Sequence, residues 1–289
     1  MCFFLFVCAF PVFGEEEAPE WFLYQRCAQA FRRGDFGLCM RNLKELVDAY
    51  GESAESLHLL ARVYEEEGEL DLAEKYYLAA LGRAGGLRVP EEMYAISYRL
   101  SELYYKRKSY KKYEDILVGL VSGQEAYTQP RYERLRGAYV STLMSRGFDE
   151  LLLMYRLSFD FAQEAHRELG AFYCRTGRAR SALLHLAFSN LAVFSTLADE
   201  LKAIDPEYSF TGLRDALTRA AGEPRLGEFL RSSGAFKGLY FLGSALFSLG
   251  VPQEARKIWQ AAADFGAGEW RTQSRSQLLA PKAEPLITY

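Results

Sequence analysis

The chain has 289 residues, of which 49% are hydrophobic and 25% are charged, a composition that argues against a disordered or an integral membrane protein. Its formal net charge of -3 gives no reason to expect nucleic acid or an anionic membrane as a partner. Aromatic residues make up 15% and include 19 Tyr, a residue type that serves both helix packing and recognition surfaces.

The first apolar stretch is residues 2–13, which are too few to cross a bilayer as a helix. The stretch is typical of a secretory signal core, with Val12 and Gly14 at the small-residue positions of a cleavage site and three glutamates after them. No Lys or Arg precedes it, which departs from the usual signal. We therefore predict a signal peptide over residues 1–14 and a periplasmic or secreted mature protein without a transmembrane segment.

A lipid anchor at Cys8 is the alternative, because Leu5 lies three places before this cysteine as in a lipobox. Phe6 and Val7 are large where small residues are typical of that motif, and only seven residues precede Cys8. The sequence thus favours cleavage over lipid anchoring at Cys8.

Residues 54–81 show the clearest packing pattern of the mature chain. Apolar residues recur at helical spacing on both sides of Gly68, which ends the first of two helices. Ala61 and Ala73 are small where their neighbours are large, so the two helices can approach closely. The stretch therefore predicts a helical hairpin.

This order of large and small residues resembles the tetratricopeptide repeat, whose unit has 34 residues. Clear copies of the pattern cover residues 20–53, 54–87, 94–127, 163–196 and 236–269. Degenerate copies cover residues 133–161 and 202–233. The resemblance implies an all-α fold, a right-handed superhelical solenoid of about seven helical hairpins that forms one domain over residues 15–280. Pro281 and Pro285 then predict a disordered tail over residues 281–289.

In tetratricopeptide arrays the first helices of successive repeats line a concave groove, and the resemblance implies which residues face it here. Tyr, Trp and Arg supply most of the energy at recognition surfaces, so they are the best candidates to contact a peptide or protein segment. Each could instead pack between repeats or belong to the solvated surface. The implied groove residues are Trp21, Tyr24, Phe31, His58, Arg62, Tyr98, Tyr105, Arg167, Arg175, Lys237 and Tyr240.

Catalytic motifs are not found in the sequence. The three histidines, His58, His166 and His185, have no metal-ligand spacing with cysteine or carboxylate residues. No glycine-rich loop follows a strand to hold phosphate, and no GxSxG or similar nucleophile motif occurs. We therefore expect neither a cofactor nor a metal, and no enzymatic activity.

Three cysteines lie beyond the signal region, and two of them, Cys27 and Cys39, occupy the positions of Ala61 and Ala73 in the next repeat. In an oxidising compartment they could form a disulfide that closes a short loop and contributes on the order of 2 to 3 kcal/mol. The alternative is that cysteine serves there as a small apolar residue.

The function predicted is that of a noncatalytic scaffold that binds a peptide or protein segment in its groove, as part of a cell-envelope complex. A second hypothesis is a transporter-associated binding protein for a small hydrophobic ligand. A closed pocket lined by Tyr and Phe would favour the second, and an open channel would favour a peptide. Self-association through the first or the last helix is left open.

Overall fold

The computed structural model describes residues 18–288, so the predicted signal peptide over residues 1–14 and the lipid-anchor question at Cys8 lie outside it. Within the described residues the chain is all-α, as predicted, with helices and no strands. The α-helices are α1 Glu20–Arg32, α2 Phe36–Tyr50, α3 Ala54–Glu66, α4 Leu70–Gly82, α5 Glu92–Lys106, α6 Tyr110–Ser122, α7 Glu125–Thr128, α8 Glu133–Ser145, α9 Phe148–Met154, α10 Gln163–Arg175, α11 Ala179–Ile204, α12 Leu213–Ala221, α13 Pro224–Ser232, α14 Ala235–Ser248, α15 Pro252–Phe265 and α16 Gly268–Leu279.

The turns between paired helices share one backbone conformation. Gly34, Gly68, Gly177 and Gly250 have φ values of 75°, 82°, 74° and 82° at the turns of four repeats. In the remaining clear repeat, residues 94–127, Lys108 stands at the position of these glycines. Its φ is 56°, the only positive value at a non-glycine residue among those described. Residues with a Cβ rarely adopt this conformation. The turn at Lys108 is therefore fixed by the packing of α5 and α6 into their surroundings, against the preference of its own residue.

Small residues lie where paired helices approach most closely, as the repeat pattern predicts. A Cβ added at Gly170 on α10 would lie 2.5 Å from Cγ of Leu186 on α11. A Cβ added at Gly243 on α14 would lie 2.5 Å from Nε1 of Trp259 on α15. Ala61 on α3 is completely buried. Small residues at these positions therefore set the spacing of the hairpins.

The contacts divide the described residues into two compact units, residues 18–96 and residues 97–288. In the first unit, α1 packs on α2, α3 packs on α4, and α3 also contacts α1 and α2. The core of α1, α2 and α3 consists of Leu23, Cys27, Ala30, Cys39, Leu43, Leu46, Leu59 and Val63.

Cys27 and Cys39 are both buried in this core as free cysteines, and no disulfide joins them in the structure. In this arrangement the two cysteines serve as small apolar residues where α1 and α2 meet, which is one of the two alternatives that the sequence left open. Burial raises the pKa of Cys27 to about 11 and the pKa of Cys39 to about 12. Since the thiolate is the reactive form, both should resist alkylation in the folded protein at pH 8.

We therefore expect the thiols of Cys27, Cys39 and Cys174 to react fully with a thiol reagent only after the protein is unfolded. No reductant is added before or during the reaction. The measurement is a thiol titration of the mature protein, folded and then unfolded, with samples taken before any reducing step. A count of three free thiols per chain in the unfolded sample is the expected result. A count of one would instead show that Cys27 and Cys39 are joined.

In the second unit the clearest hairpins stack directly on one another. Helix α10 contacts both α6 and α14, and α11 contacts α14 as well as α10. The seven predicted hairpins are numbered here in chain order, so that the third is α5 and α6, the fifth is α10 and α11, and the seventh is α14 and α15. In a regular array each hairpin would pack on its immediate neighbours in sequence, so the fifth would meet the fourth and the sixth. Here the fifth hairpin meets the third and the seventh, and through α11 it also meets the fourth and the sixth. Contacts between hairpins that are not consecutive in the chain therefore add to those between consecutive ones in this unit.

The helices of the two degenerate segments pack on α11. Helix α11 has 26 residues, and it contacts α8 and α9 as well as α12 and α13. Its second half buries Leu191, Phe194, Leu197 and Leu201, which gives these shorter helices an apolar surface. Of the described helices, α11 alone is long and apolar enough to cross a membrane, and 83% of its apolar window is buried in the protein.

The segment 281–288, for which the sequence predicts a disordered tail, lies on the second unit in the structure with defined hydrogen bonds. The amide of Lys282 donates to Oε1 of Gln277 at 2.8 Å, and the amide of Ile287 donates to the carbonyl of Arg175 at 2.6 Å. Only 8% of Glu284 is exposed. Proline ends a helix, but it does not prevent a non-helical chain from packing against other elements.

Candidate functional site

A cavity of about 240 Å³ in the second unit brings together three of the predicted groove residues, Tyr98, Tyr105 and Arg175. We call it the aromatic cleft. Lys237, offered by the last repeat, lines it as well. The other lining residues are Ser101, Glu102, Lys106, Tyr113, Glu164, Glu168, Ala171 and Phe172. The cleft thus combines aromatic faces with charges of both signs.

The aromatic part of the cleft is a set of packed rings from α5, α6 and α10. The ring of Tyr113 lies 5.1 Å from that of Tyr105 and 5.2 Å from that of Phe172, measured between centroids. Tyr98 and Tyr105 are seven residues apart on α5, so they project from the same face two turns apart. This spacing places two tyrosine side chains along one wall of the cavity.

Tyr98 is also a structural anchor. Its hydroxyl donates to the carbonyl of Phe161 at 2.5 Å and accepts from the amide of Ala165 at 3.0 Å. Burial, the largest cause, raises the pKa of Tyr98. The hydroxyl therefore ties α5 to the start of α10, while the side chain lines the cleft.

The charged part of the cleft centres on Glu168, whose carboxylate accepts hydrogen bonds from Lys237 and Arg167. Nζ of Lys237 lies 2.6 Å from each of its oxygens, and Nε of Arg167 donates to it at 3.2 Å. Burial alone would raise the pKa of Glu168, but the two cations outweigh it and the pKa lies below the ordinary value. Glu168 is therefore ionised at neutral pH and holds Lys237 at the cavity wall.

Arg167 is not a groove residue, which corrects the prediction. It is 7% exposed, and its guanidinium donates to the carbonyl of Ser233 at 2.6 Å and to Glu164 at 2.9 Å, besides its bond to Glu168. The cause is the direct packing of α14 on α10, since a Cβ at Gly234 would lie 2.4 Å from Nη1 of Arg167. The neighbouring hairpin thus covers the face that the repeat pattern assigned to a ligand.

Tyr240 is also buried, at 5% exposure, and this too corrects its prediction as an open groove residue. Its hydroxyl donates to Oε1 of Glu284 at 2.6 Å, so the segment 281–288 covers it. Burial, the largest cause, and the bond to Glu284 together raise the pKa of Tyr240. The segment that contacts Tyr240 therefore belongs to the same chain.

A second cavity of about 520 Å³ adjoins this segment, and we call it the tail cavity. It shares Tyr105 and Arg175 with the aromatic cleft, and Nη1 of Arg175 donates to the hydroxyl of Tyr105 at 2.9 Å. Its other lining residues are Tyr110, Tyr240, Gln273, Ser276, Gln277, Lys282, Glu284, Pro285, Leu286 and Ile287. The Tyr105–Arg175 pair therefore forms a wall common to both cavities.

The five groove residues predicted from the first two repeats all belong to the first unit. The guanidinium carbon of Arg62 lies 4.3 Å from the ring centroid of Phe31, so the structure brings these two together. Tyr24 is half-buried, and its pKa is raised to about 12 by burial first and by Glu92 and Glu55 next. His58 lies beside Tyr77, with ring centroids 5.9 Å apart, and Trp21 is 58% exposed.

Several residues of the two cavities were not found by sequence reasoning. Tyr113 has the repeat position of Ala73, where a small residue is expected, so it was not among the predicted groove residues. Glu168 and Phe172 fall at positions that do not face the groove in the family pattern. Glu284 lies in a proline-flanked segment without periodicity, and nothing in the sequence singles it out. The signal available for Glu168 was its place directly after Arg167 on a helix with a buried face.

The clearest titratable pair away from the cleft is His166 and His185, which meet in the core with their Nδ1 atoms 2.9 Å apart. Burial lowers the pKa of His185 to about 3, and burial together with His185 lowers the pKa of His166. Both imidazoles are therefore neutral at pH 7 and share a hydrogen bond. Among residues 18–288 no group of three or more His, Cys, Asp or Glu is placed to hold a metal ion.

No protein-family model matches the chain. The chain is similar to an uncharacterized protein of Treponema pallidum (strain Nichols), with 25% identity over 212 residues that make up 71% of this chain. The aligned region spans 56% of that relative's length, so the chain corresponds to little more than half of it. The class that fold and site define is an all-α protein of packed helical hairpins with an aromatic, charged cleft.

Proposed function

We propose that this protein is a noncatalytic scaffold that binds a segment of another polypeptide in the aromatic cleft. The observation that carries the proposal is the common wall, Tyr105 and Arg175, between a cavity of about 240 Å³ and a second of about 520 Å³. Pockets for drug-sized ligands usually measure roughly 300 to 1,000 Å³, so the smaller cavity suits one or two side chains. A polypeptide can place a side chain there and continue past Tyr105 into the neighbouring space.

The chemistry of the cleft fits such a segment. Tyr98, Tyr105 and Tyr113 offer large apolar faces that lose little rotamer entropy on binding. Arg175 offers positive charge beside these faces, where a carboxylate of the partner can be received, whereas Lys237 is paired with Glu168. The proposal includes neither a cofactor nor nucleic acid as a partner.

We also propose that the hairpins are tetratricopeptide-like repeats and that the protein works in a cell-envelope complex after export. The repeat part is supported by the positive-φ glycines at equivalent turns and by the small residues where helices meet. Export is supported by the apolar stretch over residues 2–13, which is typical of a secretory signal core.

A small hydrophobic ligand is the second candidate, because four aromatic side chains line the aromatic cleft. Glu168, Lys237 and Arg175 count against it, since burying an apolar molecule beside these charged groups would displace water from them without replacing its hydrogen bonds. The balance favours a polypeptide, which can satisfy charges and fill apolar space together.

The proposal predicts that Tyr105→Ala weakens peptide binding by roughly tenfold or more, because the variant removes the wall common to both cavities. Tyr105 is preferred to Tyr98, whose bonds to Phe161 and Ala165 make it an anchor of the fold. Peptides are selected from a displayed random library on the full chain, and their dissociation constants are measured on the wild-type protein and on the variants.

Tyr132→Ala is the matched control, because Tyr132 is a half-buried tyrosine of the same unit that lines neither cavity. Thermal melts of all three proteins verify that the fold is intact. Selected peptides that bind wild-type and Tyr105→Ala equally would refute the proposed site. Failure to select any peptide, with saturable binding of an apolar fluorescent dye that Tyr105→Ala abolishes, would favour the small-ligand alternative.

A further inference from the structure

The segment 281–288, which we call the tail, is held on the second unit as a bound peptide would be. Glu284 accepts hydrogen bonds from Tyr240 at 2.6 Å and from Ser244 at 2.9 Å. The amide of Ile287 donates to the carbonyl of Arg175, and Gln277 bonds both the amide and the carbonyl of Lys282. One buried carboxylate and several backbone hydrogen bonds therefore hold the tail.

The tail reaches the common wall of the aromatic cleft and the tail cavity at Arg175. Arg175 accepts from Ile287 through its carbonyl, while its guanidinium bonds Tyr105, the wall between the aromatic cleft and the tail cavity. Burial lowers the pKa of Arg175, but the hydrogen-bonded Tyr105 and, to a smaller extent, the nearby Glu284 outweigh burial and raise it. The tail thus meets the binding surface through a carboxylate and its own backbone.

The tail is weakly packed for a permanent part of the core. Leu286 is 68% exposed, and Pro285 and Thr288 are exposed as well. The tail leaves about 520 Å³ unfilled where it adjoins Tyr105, Tyr110 and Arg175. Since apolar burial supplies most of the free energy that fixes a segment, one held mainly by polar anchors opens at low cost.

From these contacts we infer that the tail is an internal ligand that competes with the external partner for one surface. The partner is a segment of another polypeptide with the chemistry of the tail, a carboxylate followed by proline and then by aliphatic side chains. This inference rests on the proposed function, because it names the partner of the same site. The carboxylate takes the place of Glu284 on Tyr240 and Ser244, and the backbone beyond it takes the place of Ile287 on Arg175.

Tethering makes the competition measurable. A segment joined to its site by a short linker has an effective concentration on the order of millimolar. If the free segment has a dissociation constant of about 10 to 100 μM, the tethered one fills its site about 90 to 99% of the time. An external peptide then binds roughly 10 to 100 times more weakly than it would to an open site.

The test uses a fluorescent peptide with the sequence of residues 281–288, Pro-Lys-Ala-Glu-Pro-Leu-Ile-Thr, titrated by fluorescence anisotropy into full-length proteins. Glu284→Lys removes the buried carboxylate, and Ile287→Pro removes the amide that donates to Arg175 together with the isoleucine side chain. Ala283→Lys is the control, because it changes charge at the exposed neighbour and leaves the anchors in place. Both release variants should bind the peptide at least about tenfold more tightly than wild-type and Ala283→Lys.

Hydrogen exchange gives a readout that does not depend on the peptide. The Ile287 amide should be protected in wild-type protein and should lose that protection when the peptide saturates the site or when Glu284 is replaced by Lys. Ile287→Pro leaves Glu284 and its bonds to Tyr240 and Ser244 in place, so it keeps the test decisive if Glu284→Lys unfolds.

Equal peptide affinity in all four proteins, or no binding to either release variant, would overturn the inference. A release variant that sediments as a dimer through an exchanged tail would also overturn it, because the occupant would then be a second copy. A library-selected peptide that binds wild-type and release variants equally, yet needs Tyr105, would overturn the inference while leaving the proposed function in place.

Discussion

Glu168→Gln is expected to lower the free energy of unfolding by about 2 to 4 kcal/mol at pH 7. The variant keeps the shape of the side chain but leaves Lys237 and Arg167, which both bond to the carboxylate, without their common counter-charge. Breaking a buried pair costs about 3 to 5 kcal/mol, and the 19% exposure of the Glu168 side chain argues for somewhat less. Urea unfolding followed by tryptophan fluorescence measures the difference.

Glu164→Gln is the control for this experiment. Glu164 also bonds to Arg167, at 2.9 Å, but its side chain is 44% exposed. Water can replace most of what this carboxylate provides, so the variant should change the free energy of unfolding by no more than about 1 kcal/mol. Equal effects of the two substitutions would show that the Glu168 carboxylate is not the centre of the network.

The effect of Glu168→Gln should also depend on pH, with a sign that the pKa shift fixes. The folded-state pKa of Glu168 lies below the ordinary value of 4.5, because two cations outweigh the effect of burial. The ionised carboxylate therefore contributes its full stability above pH 4.5, and this contribution is lost as the pH falls through the folded-state pKa. The difference between wild-type and Glu168→Gln should shrink at pH 3, whereas a constant difference would contradict the assignment.

The all-α class, the hairpin turns and the close contacts within hairpins were all predictable from the sequence. They depend on residues near one another in the chain, such as Gly177 between α10 and α11 or Gly243 facing Trp259. Helical periodicity and residue size express these local relations directly. Tyr98, Tyr105 and Arg175, which the repeat pattern predicts on one face of the third and fifth hairpins, line one cavity in the structure.

The misassigned residues depend on which hairpins become neighbours, which a repeat pattern does not state. Arg167 has the sequence position of a groove residue, but α14 packs on α10 and closes that face with Ser233 and Gly234. The degenerate segments contact α11, and α14 contacts both α10 and α11. The tail was missed for a related reason, since the site of Glu284 is formed by Tyr240 and Ser244, about 40 residues earlier.

Gly243→Ala is expected to lower the free energy of unfolding by about 2 to 4 kcal/mol, although the substitution adds a single methyl group. The new Cβ would lie 2.5 Å from Nε1 and 2.7 Å from Cδ1 of Trp259, so α14 and α15 must separate or the indole must move. Overpacking of a buried contact costs about 1 to 3 kcal/mol. Trp259 is completely buried and donates to the carbonyl of Tyr240 at 3.0 Å, so moving it also weakens a buried hydrogen bond worth about 1 to 3 kcal/mol.

The same substitution at Gly119 should have the opposite sign, which makes it the control. Gly119 is an exposed residue inside α6 with no atom within 4 Å of an added Cβ. Alanine there should raise the free energy of unfolding by about 0.5 to 1 kcal/mol, because it reduces the backbone entropy lost on folding. Gly243→Ala gains the same helix preference, so the difference between the two variants isolates the contact with Trp259. If Gly243→Ala were as stable as Gly119→Ala, the approach of α14 to α15 would not be what the small residue maintains.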